Sequence, residues 1–360
     1  MILKTLQTQN FRNLTGEPTH FHPAANVVVG LNGQGKTNLL EAIYFLATTK
    51  SFRTSRVASL FRFDSNATFV SGLEHRDGVD RTLSIGLETG ETKKRMLQIN
   101  SERVTLTAYV NALTVFAYSA SRLEIVRGAP EERRRFLDRG IASINAGYLE
   151  ELSRYTRVLR QRNALLQQGT ESTLAAWDDE FIATAAAVHR ARSAYADAIT
   201  AAFKRIVNEH RYHVANLEMH YRSSASEENL RAELPRLRRH ELRARMSLAG
   251  PQRDTIDFLV DGRPAAEVLS GGEQKMIVLF LKFAKLDVFR ERRADSPLFL
   301  LDDIDAELDL EILQKLVQRL PSETQVFATS AKEVFLTALE AGPHRRLTVE
   351  NGRVTASRDF

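Results

Sequence analysis

Over the first 120 residues the apolar positions fall in alternating or short continuous runs. They predict strands at Leu3–Phe11, Thr19–Phe21, Val27–Val29, Ala67–Glu74, Arg81–Glu88 and Lys94–Ile99. Polar turns containing Gly or Asp separate the last three, as in an antiparallel meander. From about residue 130 the period lengthens. Leu137, Ile141, Ile144, Tyr148, Leu152, Tyr155, Leu159 and Leu166 recur at helical spacing until Gln167-Gln168-Gly169-Thr170 breaks the run. Leu174, Trp177, Phe181, Val188, Tyr195, Ile199 and Ile206 form a second apolar face. Leu230 to Met246 forms a third, interrupted by Pro235. Strand pattern resumes at Thr255–Val260, and Glu350-Asn351-Gly352-Arg353 reads as a hairpin turn.

The change of period divides the chain. Residues 1–125 and 247–360 read as one lobe split in sequence, and residues 126–246 as a helical arm inserted into it. Two arm helices of about 35 residues would each reach about 50 Å at 1.5 Å rise per residue. Tyr148, Tyr155, Trp177 and Tyr195 fall on the apolar stripes and are expected in the core between arm helices.

Candidate chemistry begins at residues 30–37, Gly-Leu-Asn-Gly-Gln-Gly-Lys-Thr. A short β-branched run, Asn26–Val29, precedes this phosphate-binding loop, and a helical stretch, Asn38–Leu46, follows it. Gly30, Gly33 and Gly35 let the backbone turn with its amides inward, with Asn32 between them, while Leu31 and Gln34 read as spacers. Lys36 is placed to meet the β- and γ-phosphates, and the Thr37 hydroxyl to ligate Mg²⁺. The helix N-terminus faces the anion.

Residues 269–275 read Leu-Ser-Gly-Gly-Glu-Gln-Lys and open a second long apolar helix through Met276–Leu281, Phe283, Leu286 and Phe289. Ser270, with the amides of Gly271 and Gly272, makes an anion site with no phosphate of its own. It suits the γ-phosphate held by a second copy's loop. Pro297–Leu301 is a buried strand ending in Asp302 and Asp303. In this context Asp302 is assigned to Mg²⁺ and Asp303 to the attacking water, so Lys36, Ser270 and Asp303 form the catalytic set. Ala306-Glu307-Leu308-Asp309 suits a loop along a dimer interface, or a helix-start acidic cluster.

Phosphate loop, signature and Asp-Asp strand together resemble the ABC-type ATPases related to SMC proteins. Leu6–Leu14, the segment Arg122–Pro130 leading into Arg133–Asp138, and Gly250-Pro251-Gln252-Arg253-Asp254 resemble the RecF family within that group. The resemblance runs along essentially the whole chain. It implies an α/β fold: an ABC-type ATPase head, made of a P-loop NTPase sheet and an antiparallel β subdomain, carrying the inserted helical arm. It further implies a weak ATPase that dimerises on ATP and binds duplex and gap or junction DNA without reading sequence. Recombinase loading in DNA repair, with RecO and RecR as partners, is implied as well. By the same resemblance Arg12 approaches the nucleotide, unless it is a surface charge after the first strand, and Asn38 lies near Mg²⁺. The arm is too short for the rods of SMC proteins. Gln252 stands where the family has histidine, and Phe327-Ala328-Thr329-Ser330 lacks the sensor histidine of many transporter ATPases. Thr329 or Ser330 is the nearest substitute.

Composition narrows the partners. Hydrophobic residues make up 43% of the 360, with no run long enough to span a bilayer and no signal-peptide pattern at the start. Nine histidines and no cysteines leave no case for thiolate metal sites or disulfides, which is compatible with a cytoplasmic protein. The net charge of +5 favours an anionic partner, and arginines cluster at Arg133–Arg135, Arg154–Arg162 and Arg236–Arg245. The rival readings are an ABC transporter ATP-binding subunit and a stand-alone P-loop kinase or GTPase. The basic helical arm argues against the first, and the signature has no use in the second.

Overall fold

Backbone pairing in the computed structural model sorts the strands into three sheets. The structure describes residues 1–89, 94–119, 123–169, 171–210, 216–304, 310–330, 336–340 and 342–360. The chain forms two units, Met1–Arg122 with Gly271–Phe360, and Leu123–Ser270.

The first unit is built on a six-stranded sheet. Its order is Arg353–Asp359, His344–Glu350, Ala25–Val29, Val326–Thr329, Leu298–Asp302 and Val115–Ser119. Only the final hairpin is antiparallel; the other neighbours run parallel. Val27, Val28, Phe299, Leu300 and Phe327 are buried, which explains why these strands read as continuous apolar runs. A second, antiparallel sheet runs Thr19–His20, Ile2–Gln9, Ala67–Arg76, Val79–Glu88, Lys94–Ile99 and Glu102–Arg103. Here side chains alternate in and out, as in Ala67–Arg76. Helix Lys36–Thr48 has apolar residues buried nearly all round, and it shares one core with both sheets, a buried cluster that includes Phe45 and Ile43 together with Leu3, Val70, Leu300 and Phe327. The α/β head expected from the motifs is present.

The second unit holds helices Pro130–Ile144, Tyr148–Gln168, Glu171–Glu209 and Glu227–Ala244 with a three-stranded antiparallel sheet, Arg263–Pro264, Thr255–Val260 and Leu217–Arg222. Its two long helices span 21 and 39 residues, in place of a matched pair. Thr255–Val260 pairs with Leu217–Arg222, so residues 247–270 group with the helices, whereas sequence period alone joins them to the head. Pro235 lies inside helix Glu227–Ala244 without ending it. It is exposed, so the carbonyl that loses its helical partner can meet water. Tyr148, Tyr155 and Tyr195 are buried. A side chain on Gly140 would collide with the Tyr195 ring, which explains a glycine inside a helix.

Two buried arginines organise this unit. Arg162, fully buried, donates to Glu241 at 2.6 and 3.1 Å, to Asp178 at 3.1 Å and to the Ser247 hydroxyl at 2.7 Å. Arg192 donates to Asp138 at 2.8 and 3.0 Å, to Asp254 at 2.8 Å and to the Pro251 carbonyl at 2.6 Å. Arg133 and Arg134 donate to backbone carbonyls of Ile125, Val126, Ile256 and Asp254. Arg133, Arg134 and Arg162, which belong to the clusters read from sequence as suiting an anionic partner, have internal duties. Arg157, Arg160, Arg239, Arg243 and Arg245 are exposed.

Candidate nucleotide site

Parallel pairing sends the C-terminal ends of Ala25–Val29, Val326–Thr329, Leu298–Asp302 and Val115–Ser119 to one sheet edge, where such folds place ligands. Register decides which residues meet there. Asp302 is level with Ser119, Leu301 with Ala328, and Thr329 with Val28.

The phosphate loop leaves this edge directly after Val29. Gly30 has φ 142°, and a Cβ on it would run into the Val349 carbonyl. Gly35, with φ 118°, is the residue before helix Lys36–Thr48 and offers no capping side chain. No acid sits in that helix's first turn, so its leading amides and dipole are left for an anion. Lys36 is only 7% exposed. Its Nζ donates to the carbonyls of Gly30 at 2.6 Å and Leu31 at 3.1 Å, folding the ammonium over the loop. A phosphate oxygen is a stronger, charge-assisted acceptor than either carbonyl. Leu31, Asn32 and Gly33 form the exposed tip.

Asp302 is 3% exposed. Thr329 Oγ1 donates to its Oδ1 at 3.0 Å and Ser119 Oγ to its Oδ2 at 3.3 Å, and the Thr37 hydroxyl is near enough to favour its charged form. Burial raises its proton affinity above that of an ordinary aspartate; the Thr37, Thr329 and Ser119 hydroxyls oppose this, and the Asp303 charge adds to it. A buried carboxylate against a hydroxyl is a hard-oxygen donor set, which fits Mg²⁺. Thr37 and Asp302 would hold that ion.

The neighbouring turn is fixed by the same threonine. Thr329 Oγ1 accepts from the Asp303 N–H at 2.9 Å, and the Ile304 N–H donates to the Thr329 carbonyl at 3.3 Å. Asp303 adopts φ 59°, a left-handed conformation costing on the order of 1 kcal/mol, and its side chain is exposed. Thr329 thus spends its hydroxyl on the two acids, and Ser330 beside it is buried.

On the flank of the loop helix, Arg12 donates through Nε and Nη2 to the two oxygens of Glu41, both at 2.9 Å. Glu41 is fully buried, accepts also from the Ser51 hydroxyl, and lies 3.6 Å from Arg53 Nη1. Asn38 donates to Asn13 Oδ1 and accepts from Arg53, each at 2.8 Å. Arg12 and Asn38 therefore belong to one polar network. Glu41, Ser119 and Asn13 escaped the sequence reading; the only signal was a lone charge, Glu41, inside the apolar run Leu39–Leu46.

Ser270 is exposed immediately before helix Gly271–Arg293, with Gly271 and Gly272 forming that helix's first residues. The acidic stretch 306–309 lies outside the described residues.

A family model described as the RecF/RecN/SMC N terminal domain matches residues 2–353. DNA replication and repair protein RecF of Geotalea daltonii is 32% identical over 98% of this chain and 100% of its own length. The protein of the same description from Symbiobacterium thermophilum is 36% identical, over 98% of each. Among solved structures, the recombination mediator protein RecF-ATPrS in the RecFOR pathway superposes with a TM-score of 0.84. It is 25% identical, over 97% of this chain and 96% of that one. An Smc head bound to the C-winged helix domain of ScpA superposes at 0.58 with 16% identity, over 100% of this chain and 97% of that one, a likeness of fold alone.

Proposed function

The chain belongs to the RecF/RecN/SMC N-terminal-domain family, on its RecF branch, and from that premise we propose that it is an ATP-dependent DNA clamp of repair and replication. The transporter reading is set aside by that membership. The observation that carries the proposal is the convergence on one sheet edge of an uncapped loop helix, Lys36, Thr37 and the buried Asp302.

In this mechanism the loop amides and Lys36 bind the β- and γ-phosphates of ATP. Thr37 and Asp302 hold Mg²⁺, which neutralises phosphate charge when bound. Two copies close on ATP, each offering Ser270 and the amides of Gly271 and Gly272 to the γ-phosphate on the other's loop. Asp303, exposed and held by Thr329, orients water for a slow hydrolysis that reopens the dimer. Exposed arginines of the second unit, such as Arg157 and Arg243, contact DNA phosphates without reading bases. Gap or junction DNA, recombinase loading and work alongside RecO and RecR belong to this reading, and the likeness to RecF proteins supports them. A cytoplasmic location fits these partners, and among the described residues no helix is long and apolar enough to cross a membrane.

Solution mass with and without a non-hydrolysable ATP analogue, repeated with gapped DNA, tests the whole scheme. Expected are ATP-driven dimers that retain DNA and lose it as salt rises. A mass unchanged by the analogue at saturating occupancy removes the composite site and leaves a monomeric P-loop enzyme. Ser270→Arg should bind ATP yet stay monomeric, because its guanidinium occupies the partner's phosphate position.

A further inference from the structure

The phosphate loop is gripped from outside by a hairpin turn distant in sequence. Glu350 pairs with Arg353, and the two residues between them, Asn351 and Gly352, have φ 49° and 79°. This is a tight turn with both central residues left-handed. Its two central amides face the loop rather than the hairpin's own ladder. The Asn351 N–H donates to Gln34 Oε1 at 2.6 Å, and the Gly352 N–H donates to the Gln34 carbonyl at 2.7 Å. Asn13 Nδ2 donates to that same carbonyl at 3.3 Å, and Thr15 N–H closes the set on the Gly352 carbonyl at 3.1 Å.

We propose that Gln34, Asn351 and Gly352 form a clasp that positions the phosphate loop, with Gln34 as its positioning residue. The inference rests on the nucleotide-binding reading above. Its physical basis is the planarity of the trans peptide, in which C=O and the next N–H point in opposite directions. Fixing the Gln34 carbonyl toward the hairpin turns the Gly35 N–H the other way, away from the hairpin, where a loop amide can meet a phosphate. Gly35 is also the residue before the loop helix, so the clasp sets the start of that helix. Space confirms how close the parts lie. A Cβ on Gly35 would meet Asn13 Oδ1 at 3.0 Å and Gly352 Cα at 3.2 Å, and a Cβ on Gly352 would overlap the Asn13 carbonyl. Gln34, read from sequence as a spacer, sends its side chain to the hairpin, where it accepts from the Asn351 N–H.

The test compares ADP affinity with the thermal midpoint of the nucleotide-free protein for wild type, Gln34→Met and Gly352→Ala. Gln34→Met keeps volume and deletes one acceptor, so ADP should bind about five-fold more weakly, as for one lost hydrogen bond. The midpoint should not move. Gly352→Ala must displace the turn and should weaken ADP further, by on the order of ten-fold or more. Unchanged ADP affinity in both variants overturns the clasp, as does a fall in midpoint that matches the affinity loss, since that describes general fold support. Wild type that fails to bind ADP overturns the nucleotide reading itself, and the clasp with it.

Discussion

Buried charge is handled in opposite ways in the helical core of the second unit and at the sheet edge of the first. In the second, Arg162 meets Glu241, Asp178 and Ser247, and Arg192 meets Asp138 and Asp254, so each guanidinium is answered by carboxylates within the chain. At that sheet edge of the first, Asp302 is met by the hydroxyls of Thr329 and Ser119, and Lys36 by two backbone carbonyls. Hydroxyls and carbonyls solvate an ion without neutralising it. The second unit's arrangement is closed and structural. The sheet edge of the first leaves a positive group seeking phosphate and a negative group seeking a cation, which is what binding Mg²⁺ with a nucleotide would require.

Five substitutions bear on that contrast. Arg162→Leu strands Glu241 as a buried, unpaired charge and should lower stability by about 3–5 kcal/mol in urea unfolding. Adding Glu241→Leu should recover much of the loss; a double variant no better than the single would break the account of a closed pair. Lys36→Met should weaken nucleotide binding on the order of 100-fold, near 2.7 kcal/mol, with the urea midpoint little changed. If instead it destabilises the protein as Arg162→Leu does, Lys36 belongs to the structural class.

Asp302→Asn should raise the thermal midpoint of the nucleotide-free protein while removing Mg²⁺-dependent binding. Because Asp302 holds its proton more tightly when folded, the native state binds more protons than the unfolded one between the ordinary aspartate value and the raised one. Stability contributed by this group is therefore lost as pH climbs through that window. The advantage of the Asn variant should grow across it, and an advantage independent of pH would show that Asp302 carries no desolvation penalty. Smallest is Ser119→Ala, which removes one hydroxyl from Asp302 at about 1 kcal/mol or less. A several-fold loss of Mg²⁺-dependent nucleotide affinity is the expected limit, read by titration with and without the metal.

What the sequence disclosed follows a physical divide. Gly30, Gly33, Gly35, Lys36 and Thr37 are contiguous, and their chemistry is set by local backbone, so their spacing suffices to find them. Ser119 joins Asp302 only through strand register, and a serine ending an apolar strand carries no local mark. Thr329 was visible as a sensor candidate, but the direction of its hydroxyl, toward both acids, depends on the neighbouring strand. The arginine clusters were legible as charge and not as duty, because burial separates Arg162 from the exposed Arg157 and Arg160 within about a turn and a half on the same helix. In the same way period alone joined residues 247–270 to the head; the pairing of Thr255–Val260 with Leu217–Arg222 is a tertiary fact.

The neighbours of the strand that launches the phosphate loop have a bearing on how the protein is born. Ala25–Val29 lies between Val326–Thr329 and His344–Glu350, both made long after it. Throughout synthesis that strand has neither of its hydrogen-bonding partners, while the contiguous stretch Leu123–Ser270 is complete and free to fold first. Pairings so distant along the chain are slow to close, and an unpaired apolar strand is a hazard while it waits. A nascent chain lacking Val326–Thr329 and His344–Glu350 would thus carry every loop residue from Gly30 to Thr37 while the strand that launches the loop lacks both of its neighbours.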